Sequence, residues 1–336
     1  MVTLATQTLA AIESAIQKDG GALFRTLERE EFAKLEDAFS SKEESFRTHL
    51  GASLIGRPCA RELWYNFHWA TKPDFSPRLL RLFNRGHLEE ARFIALLRMV
   101  CTKVWTQTED GNQFRIHGGD GHFGGSLDAV IEGCPDYPQT PILGEFKTHN
   151  NKSFVNLKEE GVQRAKWEHY VQQNIYMAGY QLPASLYLAV NKDTDELYGE
   201  IVLFNAEVSS RYHARAKGII DSPEPVDRIN SNPSWYQCKF CDHQKLCHDF
   251  AYPEVNCRTC THSTPVSGGW HCELKNFQIP KNCSACPDHL YNPTMLNKIE
   301  VLSADAGKNQ MLYKRADGTK ILAGTGAASS QELRGV

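Results

Sequence analysis

The sequence predicts an α/β or α+β core followed by a small cysteine-rich region. Short apolar runs with strand character (123–131, 142–148, 184–190 and 198–204) alternate with stretches of helical periodicity, the pattern of a sheet packed against helices. Of the eleven cysteines, nine are either Cys59 or lie between Cys238 and Cys286, while Cys101 and Cys134 stand outside any ligand-like spacing. At 336 residues the chain can bury a sizeable core, as two domains or as one domain with an appendage.

The elements follow in order. Residues 1–46 are highly charged and read as helical, with Gly20-Gly21 as a break. A second helical pattern runs over 79–100. Two strand-like runs, 123–131 and 142–148, are joined by the Pro-containing turn GCPDYPQT. A long helix is expected over 159–180, ending before Pro183. The runs ASLYLAV and YGEIVLF flank the polar turn NKDTDE and read as a hairpin, and a further helix is expected over 206–220. The Pro-rich segment DSPEPVDRINSNPSW marks a boundary before the cysteine-rich region. In the tail, MLYKRADGTKILAG reads as a hairpin with a DG turn, and the Gly/Ala/Ser-rich end reads as disordered. The expected organisation is an N-terminal helical segment (1–46), a core (47–250), a cysteine-rich module (251–292) and a tail (293–336).

Composition narrows the function. The formal net charge is −3, so any nucleic-acid contact has to come from a local basic groove. No run approaches the ~20 apolar residues of a membrane span. The first residues lack a basic-then-apolar leader and read as an amphipathic helix, so the cytoplasm is the expected compartment. Thiols stay reduced there, and clustered cysteines are then better read as metal ligands than as disulfides.

The chemistry centres on GGSLDAVIEGCPDYPQTPILGEFKT, residues 124–148. Alternate residues of a strand share a face, so Glu145 and Lys147 point one way and Phe146 the other. If the turn closes symmetrically about Asp136 and Tyr137, Asp128 pairs with Glu145. Two carboxylates facing each other repel, an arrangement that a divalent cation such as Mg²⁺ or Mn²⁺ makes tolerable. Lys147 beside them could orient a water or hold a phosphate. On the preceding helix, Phe83, Gly86, Glu90, Ile94 and Leu97 share one stripe, which sets Glu90 in an apolar face where a carboxylate is costly unless paired or metal-bound. Gln172 and Tyr176, four apart, share a face of the later helix.

Together these residues resemble a known pattern. Gly86-x-x-x-Glu90, Gly125-x-x-Asp128, Glu145-Phe146-Lys147 and Gln172-x-x-x-Tyr176 occur in the order of the RecB-type branch of the PD-(D/E)XK nucleases, which includes lambda-type exonucleases and CRISPR-adaptation nucleases. The approach to Cys59, SLIGRPCARELWY, is also similar to that branch. The resemblance covers about residues 50–250. It implies an α/β core with a mixed sheet flanked by helices and metal-dependent hydrolysis of DNA phosphodiesters. Glu90, Asp128 and Glu145 would hold Mg²⁺ or Mn²⁺, with the Phe146 carbonyl as a further ligand. Lys147 would position the attacking water, and Gln172 and Tyr176 would support the site or touch the strand. Some members carry His where this chain has Glu90, so cleavage polarity does not transfer.

Two cysteine sets remain. Cys238-x2-Cys241-x5-Cys247 needs a fourth ligand. His243 or His248 would complete a small zinc site. The iron–sulfur members of the same branch instead imply a [4Fe–4S] cluster held by Cys59, Cys238, Cys241 and Cys247, which would staple the two ends of the core. Further on, the Cys257-x2-Cys260 and Cys283-x2-Cys286 knuckles bracket Cys272, with His262, His271 and His289 nearby, a zinc pattern. A resemblance to zinc-binding modules of phage proteins favours Cys257, Cys260, Cys272 and Cys286, leaving Cys283 and His289 contested. Such a module either grips DNA or a partner, or stabilises the C-terminus.

The expected function is therefore a cytoplasmic Mg²⁺- or Mn²⁺-dependent deoxyribonuclease. An exonuclease acting on DNA ends or single strands, in recombination, repair or phage DNA processing and beside a recombination or single-strand-binding partner protein, fits better than a sequence-reading endonuclease. No recognition-helix motif is present. Trp64, Lys152, Arg164, Lys166 and Trp167 are candidates for lining a strand-binding groove. The alternatives are a restriction-type endonuclease and a DNA-binding or recombination-scaffold protein without catalysis.

Overall fold

The computed structural model describes residues 2–35, 46–281 and 283–335. Its centre is a five-stranded mixed sheet in the order Lys103–Trp105, Ala129–Glu132, Ile142–His149, Ala184–Asn191, Leu197–Leu203. All neighbours are antiparallel except the central pair, Ile142–His149 with Ala184–Asn191. A parallel pair needs a long crossover, here supplied by two consecutive helices, Asn151–Ala165 and Trp167–Tyr180. Every residue of Ala184–Asn191 is buried, as expected of a strand covered on both faces.

Alternation along the strands divides the core in two. Ile142, Phe146, Leu186, Leu188 and Ile201 face one way and pack on Phe93, Ile94, Leu96 and Leu97 of the helix Pro77–Val100 and on Ile12 of the helix Thr6–Asp19. Leu143, Tyr187 and Ala189 face the other way, toward Val171, Ile175 and Tyr176 of the crossover. The helices Thr6–Asp19 and Ala22–Phe32 are separated at Gly20 and Gly21, both at positive φ. Residues 36–45 of the expected helical segment lie outside the described residues. The first helix lacks a cap of its own. Asp136, in the turn after Glu132, supplies one by accepting from the Gln7 and Thr8 amides at 3.2 and 2.6 Å.

Four sequence expectations change. The run 123–131 is not one strand: Phe123–Ser126 joins a separate small sheet with Leu50–Gly51 and Arg115–Gly118, and Ala129–Glu132 joins the main sheet. The helix expected over 159–180 is the pair of crossover helices, parted at Lys166, with Gly161 also leaving helical geometry at φ 72°. The apolar stripe of Pro77–Val100 is buried only in its second half. Phe83 is 41% exposed, because the first turns overhang an open groove. The described part of the Gly/Ala/Ser-rich end folds: Ser329 caps a short helix, Ser330–Arg334, and Arg334 pairs with Glu254.

Three other elements fall where the sequence placed them. Ala184–Asn191 and Leu197–Leu203 form the expected hairpin, and Ala206–Asp221 the expected helix. The DG turn joins Gln310–Arg315 to Lys320–Gly324, and Ile299–Asp305 adds a third strand. The cysteine-rich segment forms a three-stranded antiparallel sheet, Ser263–Val266, Gly269–Cys272 and Phe277–Ile279. Its Trp270 packs on Phe67 and His68, 5.0 and 5.3 Å between ring centroids. Arg258, 6% exposed, donates to the Phe67 and Thr48 carbonyls at 2.9 and 2.7 Å, and its guanidinium lies 3.8 Å from the Trp69 ring centroid.

Candidate functional site

The register of the central hairpin places the acids. Ala129 pairs with Gly144, Val130 with Leu143 and Ile131 with Ile142, so the next position outward sets Asp128 opposite Glu145. Asp128 sits in the bend where the chain crosses from the small sheet to the main one. Its Oδ2 accepts from the Phe146 amide at 2.8 Å, which fixes the carboxylate beside the strand. Glu145 is fully buried. Lys147 donates to its Oε1, and its Oε2 has no hydrogen-bond partner among the described residues. A buried carboxylate oxygen left this way is costly, and it is the kind of atom a cation satisfies.

Glu90 completes the group from the helix Pro77–Val100. Burial first, then Asp128 and Glu145, pushes its carboxyl up to about 8, with Lys147 opposing. Burial also pushes Glu145 up to about 7, with Lys147 opposing and Asp128 adding. For Lys147, burial works against the charge, but Glu145, Asp128 and Glu90 outweigh it and hold the ammonium above its ordinary value. Carboxylates that raise one another in this way form an acidic cluster. Oxygen donors of this type suit Mg²⁺ or Mn²⁺. Among the described residues, no group of three or more His, Cys, Asp or Glu side chains already stands in coordination geometry.

Tyr176 and Gln172 lie behind this group, 2% and 6% exposed, with the Gln172 amide donating to the Tyr176 hydroxyl at 3.4 Å. Burial, then Glu145 and Asp128, raises the Tyr176 phenol. Gly125 explains the close approach: a Cβ there would meet the Tyr176 hydroxyl at 2.5 Å. Glu90, Asp128, Phe146 and Lys147 line a groove of about 1320 Å³, whose walls also carry Arg47, Arg57, Lys72 and Lys166. The same walls carry Glu62 and Asp242, and Arg57 pairs with Glu62.

Of the other groove candidates, only Lys166 lines it. Trp64 is fully buried and bonds the Ser222 carbonyl, and Trp167 bonds Tyr212. Arg164 pairs with Glu160 on the surface, and Lys152 is exposed outside the groove. Sequence reasoning missed His149, Ser153 and His169 on the same wall. The signal was present: His149 continues the alternation of Glu145 and Lys147 on one strand face.

Cys59, Cys238, Cys241 and Cys247 line one small cavity, although Cys59 is far away in sequence. Burial, followed by Cys59 and Cys247, raises the Cys238 thiol. His243 is committed elsewhere, bonding Thr71 and Asn66 through its two ring nitrogens, whereas His248 Nε2 is buried without a partner among the described residues. The four thiols share this cavity without forming a metal-holding group among the described residues.

Cys257, Cys260, Cys272, Cys283 and Cys286 gather around a second cavity. Cys257 and Cys283 adjoin, with Cα atoms 6.0 Å apart, beside Cys260, Cys272 and Cys286. His289 lies between Ser330 and Thr259, at 2.8 and 3.3 Å from its two ring nitrogens, and His262 bonds Asn309. Both Cys283 and His289 line this cavity.

No family model matches the chain, and no curated protein matches it in sequence. Solved structures to which it is similar include the crystal structure of SSO0001, with TM-score 0.37 and 15% identity, covering 67% of this chain and 94% of that one. An alkaline exonuclease (LHK-Exo) from Laribacter hongkongensis gives TM-score 0.35 and 14% identity over 55% of this chain and 90% of that one. The same enzyme in complex with dAMP gives 0.35 and 16% over 53% and 90%. These likenesses are weak, and the function proposed below rests on the site's own residues.

Proposed function

We propose that the chain is a divalent-metal-dependent DNA nuclease of the PD-(D/E)XK type, acting as an exonuclease on DNA ends or single strands. The observation that carries this is that Glu90, Asp128 and Lys147 line one groove, with Glu145 buried against Lys147 and its Oε2 unpartnered among the described residues. Glu90, Asp128, Glu145 and the Phe146 carbonyl would hold Mg²⁺ or Mn²⁺, which supplies a polarised phosphate oxygen and a water of lowered pKa. The Phe146 amide keeps Asp128 turned toward the group. Lys147, held charged by three acids, would position the attacking water and offset the negative charge that builds on phosphorus. Tyr176 and Gln172 would support the acids from behind.

Cys59, Cys238, Cys241 and Cys247 would hold a structural [4Fe–4S] cluster. Cys257, Cys260, Cys272 and Cys286 would hold Zn²⁺. Iron and zinc analysis of anaerobically prepared protein tests both. About four irons per chain support the cluster, and a colourless protein with zinc alone rejects it.

The function is tested on labelled linear, circular and single-stranded DNA with Mg²⁺ or Mn²⁺. Degradation of linear or single-stranded DNA with circles spared supports the exonuclease reading. Site-specific cutting of circles would replace it with a restriction-type endonuclease. Intact substrates in every arm would leave a DNA-binding scaffold.

A further inference from the structure

Cys101 and Cys134 belong to neither cysteine set, yet the fold brings them to each other. Cys101 follows the helix Pro77–Val100, its amide donating to the Leu97 carbonyl at 2.8 Å. Cys134 stands in the turn after Ala129–Glu132. The edge pairing of the main sheet joins the two places: Lys103 lies opposite Glu132, and the Thr102 amide donates to the Glu132 carbonyl at 2.9 Å. Gly133, at φ 68°, lets Thr102 close on the turn, since a Cβ there would collide with the Thr102 side chain. Two residues further out on each side, the Cys101 and Cys134 thiols are hydrogen-bonded to each other and pack on one apolar cluster.

The contacts around the pair set its protons. The Asp136 carboxylate can only accept, so the Thr8 hydroxyl, 2.6 Å from Oδ2, donates to it. The Cys134 thiol therefore donates to Thr8 Oγ1 at 3.3 Å, and the Cys101 thiol donates to Cys134 Sγ. That last bond pulls the Cys134 thiol down to about 7 and raises Cys101. A proton lost from the pair leaves one sulfur as a thiolate supported by the thiol of the other. Cys134 is fully buried and Cys101 half-buried, so a reagent from solvent meets Cys101.

We propose that Cys101 and Cys134 are a redox-active pair that closes to a disulfide and locks the end of the helix Pro77–Val100 to the turn of the central hairpin. The step is exchange with a low-molecular-weight disulfide. The Cys101 thiolate attacks one sulfur of that reagent, and the other half leaves as a thiolate that takes up a proton. The Cys134 sulfur, giving up its own proton, then attacks Cys101 Sγ and releases the second half. Two protein thiols are oxidised, and one external disulfide is reduced to two thiols. The new bond encloses residues 102–133, which carry the strands Arg115–Gly118 and Phe123–Ser126 and also Asp128. The turn it reaches holds Asp136, the cap of the first helix, so one bond fastens three elements. The pair stands apart from the nuclease reading and from the metal readings of the other nine cysteines.

The test is peptide mapping of the full chain. Anaerobically prepared protein is equilibrated with glutathione disulfide, alkylated with iodoacetamide and digested with trypsin. The expected product links peptide 99–103 to peptide 116–147 and is split by dithiothreitol. Oxidation should raise the melting temperature by about 5–10 °C, and Cys101→Ser and Cys134→Ala should each lose that rise. Recovery of both cysteines as alkylated thiols would overturn the proposal. So would a glutathione adduct that stays on Cys101, a bond from either cysteine to another set, or a rise that Cys101→Ser keeps. If the buried substitution Cys134→Ala does not fold, the wild-type map and Cys101→Ser decide.

Discussion

Asp128, Glu145 and Lys147 owe their positions to the register of hydrogen-bonded strands, whereas Cys238, Cys241 and Cys247 sit in or beside helices of only four and five residues. Of the C-terminal cysteines, Cys272 ends a four-residue strand, and Cys257, Cys260, Cys283 and Cys286 lie in the short segments before and after the three-stranded sheet. In the first region the sheet would hold the side chains in place even if one of them were replaced. In the second, little backbone pairing exists to hold the chain, so the groups that cross-link it carry the geometry. The acidic group should therefore be sensitive in activity and tolerant in fold, and the cysteine-rich region the reverse.

Lys147→Ala gives the sharpest view of the first half of that contrast. Mg²⁺-dependent cleavage is expected to fall by about 10²–10³-fold, read from initial rates on labelled DNA. The melting temperature should hardly move, because Glu145 can take up a proton in place of its partner. A variant that melts well below wild type would erase the distinction.

Arg258→Met probes the other half. The guanidinium is buried against Trp69 and Trp270, and burial pushes it down to about 9. Its bonds reach carbonyls of the core, so removing them should cost about 3 kcal/mol. Denaturant unfolding measures this loss, with cleavage by the remaining folded protein unchanged. Equal losses of stability and specific activity would show that the two regions are not separable.

Gly125→Ala attacks the junction between the small sheet and the Tyr176 ring. The new methyl would stand 2.5 Å from the hydroxyl, so overpacking of about 1–3 kcal/mol is expected, together with some loss of cleavage. A stability equal to wild type would mean that Tyr176 swings aside freely.

The smallest expected effect is on pH dependence. Glu90 and Glu145 titrate in the folded chain near about 8 and 7, above the ordinary value of 4.5. Their contribution to stability is full below the unfolded value and is lost as pH rises through the folded ones. Without added divalent ions the melting temperature should decline between about pH 6 and 9, less steeply in Glu90→Gln and with Mg²⁺ present. A flat profile in wild type would mean that the acids are more hydrated than their burial implies.

Much of the acidic site was legible because its spacing is periodic. The symmetric turn about Asp136 and Tyr137 yields the observed register, and alternation puts Glu145 and Lys147 on one face. What escaped was set by tertiary contact. Nothing in 123–131 signals that Leu127 and Asp128 leave one sheet for another, because both halves are apolar and strand-like. Gly161 and Lys166 interrupt a run whose helical periodicity continues on both sides. Trp64 and Trp167 read as groove aromatics, yet their indole N–H groups find partners inside the fold. The gathering of Cys59 with Cys238, Cys241 and Cys247 followed from a family resemblance and had no local sequence signal.

The uneven burial of Pro77–Val100 has a consequence for local stability. Residues 91–97 are mostly buried against the sheet, while most of 77–88 are exposed, with Arg85 tied to the Lys192 carbonyl. One helix thus spans two units of opening. Amide exchange in its last turns should approach the global limit, while the first turns exchange through fraying. Glu90 lies at the boundary, so of the three acids it is the one whose position depends on a segment that can unwind while the sheet remains folded.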